Sequence, residues 1–163
     1  MTIPKPPSAD QDAPTNECIE YSNKTRLHIS ERSVGATFLN PKKLQLRKIH
    51  YDGCYCQAPR GRRADYILGW NAYVDVIVEL KGSDLKRALT QVEATLTAWQ
   101  AEEIKYPKTV CMIVFGSTFP RMTSRLGSME RDFLQTHHTL LWIRKSGAEK
   151  FKFRNLIGKA DVS

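Results

Sequence analysis

The chain has 163 residues, 41% of them apolar and 26% charged, a composition that suits one soluble domain with a core of its own. Lys and Arg number 25 against 17 Asp and Glu, a formal charge of +8, which favours a polyanionic partner and says nothing about fold. No segment has the length and hydropathy to cross a bilayer, and no apolar run follows a basic head near the start, so no membrane association or secretory leader is expected and a cytoplasmic location is.

Residues 1–16 hold four of the eight prolines among Ser, Asp, Gln and Asn. With almost nothing to bury, they predict a disordered tail ahead of a single domain over residues 17–163. Within 18–40, RLHIS and ATFL read as short strands. LQLRKIHY (44–51) alternates apolar and polar residues with a slip near Lys48, the pattern of a half-buried strand. Asp52-Gly53 is a turn signal. ADYILG and VDVIVEL follow, so close together that they predict an antiparallel hairpin turning near Trp70-Asn71. Ser83 as N-cap and Asp84 in the first turn open an amphipathic helix to about residue 103, with Leu85, Leu89, Val92, Leu96 and Trp99 in its apolar stripe. VCMIVFG is apolar on both faces, which predicts a central strand parallel to a neighbour. A helix around 123–135 and strands in TLLWIRK and KFKF complete the chain. The fold class is α/β: a mixed sheet with a central hairpin and a βαβ crossover, flanked by helices.

Of the four cysteines, Cys111 lies in an apolar run and reads as a small buried hydrophobe. His50, Cys54 and Cys56, with Cys18, are close enough to raise the question of zinc. Cys-x-Cys lacks the two-residue gap of the common knuckles, so ordinary thiols in a reducing compartment are expected.

The chemistry concentrates on the hairpin. Strand parity puts Val74, Val76, Val78 and Leu80 on one face and Asp75, Ile77, Glu79 and Lys81 on the other. A turn near Asn71 sets Asp65 opposite Ile77 to Glu79, within cross-strand reach, and leaves Asp75 apart. Two carboxylates this close repel, and a hard divalent ion relieves them using one or two carboxylates and other oxygens, such as the Leu80 carbonyl. Lys81 beside the ion is suited to orient water or meet the charge of a phosphate. These parts suffice for metal-assisted phosphodiester hydrolysis. An isolated Glu-x-Lys is common by chance, and the hairpin, the upstream Asp and the capped helix give this one its weight.

Asp65, thirteen residues, Glu79-Leu80-Lys81 and then a helix resemble the PD-(D/E)xK, or restriction-endonuclease-like, nuclease superfamily. The string DVIVELKGSDLKRALTQVEATL is similar to its small bacterial members, and the resemblance spans about residues 43–115. It implies Asp65 and Glu79 as ligands of Mg²⁺ (or Mn²⁺), Lys81 assisting the attacking water, and Gln91 completing the site. It further implies hydrolysis of nucleic acid, DNA favoured, by a homodimer or with a partner protein in a larger complex, in a setting such as defence against phage. Ala64 stands where the superfamily's name has proline. Glu17 and Glu20 are the candidates for an acid that many members supply from an N-terminal helix. A member that has lost catalysis would instead bind nucleic acid or a partner protein.

Basic residues surround the motif in sequence. Arg60, Arg62, Arg63, Lys86 and Arg87 are the nearest candidates for gripping phosphates, with Lys42, Lys43, Arg47 and Lys48 upstream and a second basic set, Arg121 to Arg154, downstream. Tyr55, Trp70 and Tyr73 read as packing more than base stacking. His137-His138 reads as a helix end.

Overall fold

A computed structural model describes residues 17–59, 62–116, 123–147 and 150–158. The proline-rich tail, Arg60 and Arg121 lie outside the described residues. In chain order the elements are β1 (Ile19–Ser22), β2 (Arg26–Glu31), β3 (Val34–Leu39), β4 (Leu46–His50), β5 (Tyr66–Trp70), β6 (Val74–Lys81), α1 (Leu85–Gln100), β7 (Lys108–Phe115), α2 (Thr123–His137), β8 (Leu141–Lys145), β9 (Lys150–Lys152) and α3 (Phe153–Leu156). No helix among them is long and apolar enough to cross a membrane.

A strand apolar on both sides must be covered on both, and β6 and β7 are buried along almost their whole length. They lie at the centre of a mixed six-stranded sheet ordered β1-β4-β5-β6-β7-β8. Its first four strands are antiparallel, and β6, β7 and β8 run parallel with α1 and α2 as the crossovers. A three-stranded sheet, β2-β3-β9, covers one face. There Val74, Val76 and Val78 pack against Leu27, Ile29, Phe38 and Phe151. The helices cover the other face, where Ile77, Cys111 and Ile113 meet Ala88, Val92, Leu96 and Trp99 of α1 and Phe133 of α2. The mixed sheet, the hairpin and the βαβ crossover expected from periodicity are all present.

Local differences have local causes. The N-cap of α1 is Asp84, not Ser83, because the Asp84 carboxylate accepts from the Arg87 N–H at 3.0 Å. Leu85 and Leu89 are only half-buried, and Ala88 and Gln91 take the inward positions. KFKF is a strand only to Lys152; Phe153 opens a short helix and stacks its ring on Phe38 and Trp70. The β5–β6 turn uses Asn71 and Ala72 in left-handed conformations, φ 56° and 48°, closed by a 3.0 Å bond from the Tyr73 N–H to the Trp70 carbonyl. Asn suits that region; Ala does not.

Arg47 and Lys48, upstream of the hairpin, are committed to ion pairs within the fold. Arg47 is 2% exposed and ion-pairs with Asp75 at 2.5 Å. Asp75 also accepts from the Trp99 ring N–H at 3.0 Å and the Tyr106 N–H at 2.7 Å. The Tyr106 ring lies 3.8 Å from the Arg47 guanidinium carbon, and a Cβ added at Gly69 would be 2.5 Å from that ring, so this approach requires glycine. Lys48 pairs with Glu20 across β1 and β4.

The expectation of ordinary thiols is corrected. Cys18 and Cys54 form a disulfide, leaving Cys56 and Cys111 free. The pairing of β1 with β4 causes this, because it carries Cys18 beside His50, whose N–H donates to the Cys18 carbonyl at 2.9 Å. Disulfides persist in oxidising surroundings, so this pair is at odds with the reducing compartment assumed above.

Candidate active site

β5 and β6 pair with Tyr66 opposite Val78, so the residue before β5, Asp65, stands opposite Glu79. The Asp65 Oδ2 accepts from the Leu80 N–H at 2.8 Å, which fixes the carboxylate against the end of β6. Ala64 is fully buried and its N–H donates to Thr95 Oγ1 at 2.8 Å, while that hydroxyl donates to the Gln91 carbonyl. Helix α1 is thereby fastened to the start of β5. A proline at 64 has no N–H to give, which is a physical reason for alanine at this position.

Glu79 and Lys81 lie on the helix-covered face of β6. The Lys81 ammonium donates to Gln91 Oε1 at 3.1 Å and lies 3.9 Å from Glu79 Oε1. Gln91, only 5% exposed, donates in turn to the Arg63 carbonyl at 3.4 Å. The four residues expected to act together do converge, and they line one cleft of about 620 Å³. It opens at the carboxyl end of β6 beside the end of β7, where the Gly116 N–H donates to the Lys81 carbonyl at 2.9 Å. Ligands of open α/β sheets gather outside such strand ends.

Electrostatics mark the pair. Burial pushes the Asp65 carboxyl up to about 6; the Leu80 N–H opposes this, and the charges of Glu31 and Asp52 reinforce it. Burial, then the charge of Asp65, pushes Glu79 up to about 9, with Lys81 opposing. At neutral pH the pair therefore keeps a proton between two carboxyl groups. Glu79 is buried against Asp65, whose carboxyl and backbone are its hydrogen-bonding neighbours, and its Oε2 meets no donor beyond them. Two buried carboxyls repel once both ionise, and a divalent cation could take the place of the proton between them. Among the described residues no three or more His, Cys, Asp or Glu side chains form a ready metal cage; Mg²⁺ commonly makes do with one or two carboxylates.

The remaining expectations divide. Arg87 lines the cleft, whereas Arg62 and Lys86 are exposed outside its lining and Arg63 contributes its carbonyl to Gln91. Glu17 and Glu20 do not line the cleft; Glu31 and Asp52 do. So does Arg32. Asp52 follows β4 in the turn noted above, whereas nothing in the sequence around Glu31-Arg32 marks that turn as part of a site. Trp70 and Tyr73 lie at the other end of the hairpin, where Trp70 donates to Asn40 at 3.2 Å, and Tyr55 packs against Trp99. His137 ends α2 with its ring 3.3 Å from Glu93, as a helix-end residue does.

No protein-family model, curated protein or solved structure matches this chain.

Proposed function

We propose that the chain is a divalent-cation-dependent nuclease of restriction-endonuclease-like fold, hydrolysing phosphodiester bonds of nucleic acid, with DNA the favoured substrate. The observation that carries this reading is the pair of buried carboxyls, Asp65 and Glu79, set against each other in a cleft that also holds Lys81 oriented by Gln91. Asp65, Glu79 and the Leu80 carbonyl would hold Mg²⁺ or Mn²⁺. Once bound, the ion would lower the pKa of water and offset charge on the phosphate. The chain's own residues do the rest. Lys81, held at 3.1 Å from Gln91, presents N–H donors into the cleft to position a water and meet the charge that builds on the phosphoryl oxygens. Gln91 keeps the ammonium from collapsing onto Glu79. Arg87 on the rim grips a phosphate.

The test is cleavage of single- and double-stranded DNA and RNA with Mg²⁺ or Mn²⁺, beside a Glu79→Ala control of demonstrated fold. Cleavage that survives the substitution refutes the assignment. Salt-sensitive binding with no cleavage under any metal marks a module that keeps the nuclease fold only to bind. Calorimetric titration with Mg²⁺ of wild type against Asp65→Ala checks the ligands separately from turnover.

A further inference from the structure

Beside the cleft lies a second cavity of about 490 Å³. The two share the turn between β2 and β3: Arg32, Ser33 and Val34 line both. Their chemistry differs. The cleft has carboxylates on its floor, whereas the second cavity's described lining carries His28, Arg32 and Lys150 and no carboxylate. Among the described residues neither Arg32 nor Lys150 has an ion-pair partner.

The cavity wall is fixed by the fold. The Gly35 N–H donates to Ser146 Oγ at 3.1 Å, and that hydroxyl donates back to the Gly35 carbonyl at 2.8 Å, tying β3 to the turn after β8. A Cβ at position 35 would be 3.1 Å from the His28 ring, whose Nδ1 lies 2.9 Å from Thr37 Oγ1. Glycine there leaves room for the imidazole. Arg32 is the more telling residue. Glu31 pairs with Val34, so Arg32 and Ser33 form a two-residue turn, and Arg32 has φ 54°. Asn or Gly adopts that conformation with less strain. Strain kept by a long cation on the rim of two cavities points to a use for the cation.

We propose that the second cavity seats the phosphates of the nucleic-acid strand next to the one being hydrolysed, with Arg32 bridging the two sites and His28 and Lys150 gripping beyond it. This rests on the nuclease reading for its substrate, but it concerns binding and is tested without turnover. Cations matched to successive phosphates give affinity without reading bases, and each contact released lowers the salt dependence.

The experiment measures binding of labelled single-stranded and duplex DNA to Glu79→Gln protein without divalent ions, across a salt series. Arg32→Asn with Lys150→Gln is compared with Lys42→Gln with Lys105→Gln, an equal loss of charge from exposed positions at the far end of the sheet. Arg32 and Lys150 are both exposed, and a thermal melt matching that of the Glu79→Gln parent shows that weaker binding by this pair is not misfolding. The slope of log affinity against log salt should fall by about 1.4 on single strands and about 1.8 on duplex, and affinity near 0.1 M salt by roughly 25-fold or more. A loss no larger than that of the control pair overturns the proposal. Competition by inorganic phosphate at concentrations far below the salt present overturns it too, marking a pocket for free anion. Cleavage by wild type with no effect of the Arg32 pair on binding sinks the groove alone; the expected binding loss with no cleavage under any metal sinks the hydrolysis alone.

Discussion

Replacing Glu79 by Gln should stabilise the metal-free protein, and by more as the pH rises. The Glu79 carboxyl is 2% exposed, and its pKa goes from 4.5 to about 9 on folding. A carboxyl raised in this way favours the fold fully below 4.5, and the favour is lost as pH climbs to about 9, because the unfolded chain ionises there and the folded one resists. Within that window each pH unit costs about 1.4 kcal/mol, so going from pH 6 to pH 8 costs roughly 3 kcal/mol. Glutamine has the same shape and nothing to ionise. For a chain of this size, the Glu79→Gln protein should melt roughly 6–12 °C further above wild type at pH 8 than it does at pH 6. Thermal unfolding followed by circular dichroism in chelator, from pH 5 to pH 8.5, measures the gap directly. Adding Mg²⁺ at pH 8 should narrow it, since an ion held as proposed by Asp65 and Glu79 would bind ionised wild type and not the amide. A gap that stays constant with pH, or a variant less stable than wild type at pH 8, would refute both the buried-acid assignment and the cation site built on it.

Three further outcomes test the frame. Asp75→Ala leaves the Arg47 guanidinium buried without its carboxylate and should cost about 3–5 kcal/mol in urea unfolding. Ala72→Gly removes a Cβ from a left-handed turn position and should stabilise the hairpin by about 1 kcal/mol, read as a higher urea midpoint at unchanged slope. Reducing the Cys18–Cys54 bond, which closes a separation of 36 residues, should cost about 4 kcal/mol by loop entropy; equal stability with and without reductant would show that the bond does not form in solution.

Much of the frame was legible because strands and helices carry their burial pattern in short windows. VCMIVFG has no polar face, and only a central position covers both sides of such a strand. The alternation in β6 separates Val74, Val76 and Val78 from Ile77 and Glu79, and a hairpin turning near Asn71 brings Asp65 opposite Ile77 to Glu79 with no tertiary information. What escaped depends on packing between distant segments. Glu31 and Arg32 reach the site only because the β2–β3 hairpin folds over the end of β6, and nothing within the turn Glu-Arg-Ser-Val announces it. The disulfide depends on β1, four residues long and half-exposed, finding β4. The cap of α1 was missed by one residue because Ser83 and Asp84 are both competent; the side chain that reaches the Arg87 N–H decides.

Arg47 departs furthest from its sequence expectation, and its burial explains why one strand face carries two buried acids with different meanings. Asp75 and Glu79 both lie under α1, four residues and roughly 13 Å apart along β6. Parity and register set Asp75 aside by distance from Asp65, and the structure supplies the stronger reason. Asp75 is satisfied by the Arg47 guanidinium, the Trp99 ring N–H and the Tyr106 N–H, a closed set with no donor missing. Such a group holds a core together and has no capacity left for a ligand. Glu79 has Lys81 at 3.9 Å from one oxygen and otherwise faces a second acid, Asp65, with which it can share only a proton or a cation. A single change to glutamine would remove the repulsion between two buried acids, at a gain in stability. The presence of Glu79 at the mouth of a cleft, four residues from an acid so fully partnered, is what makes a ligand the economical explanation.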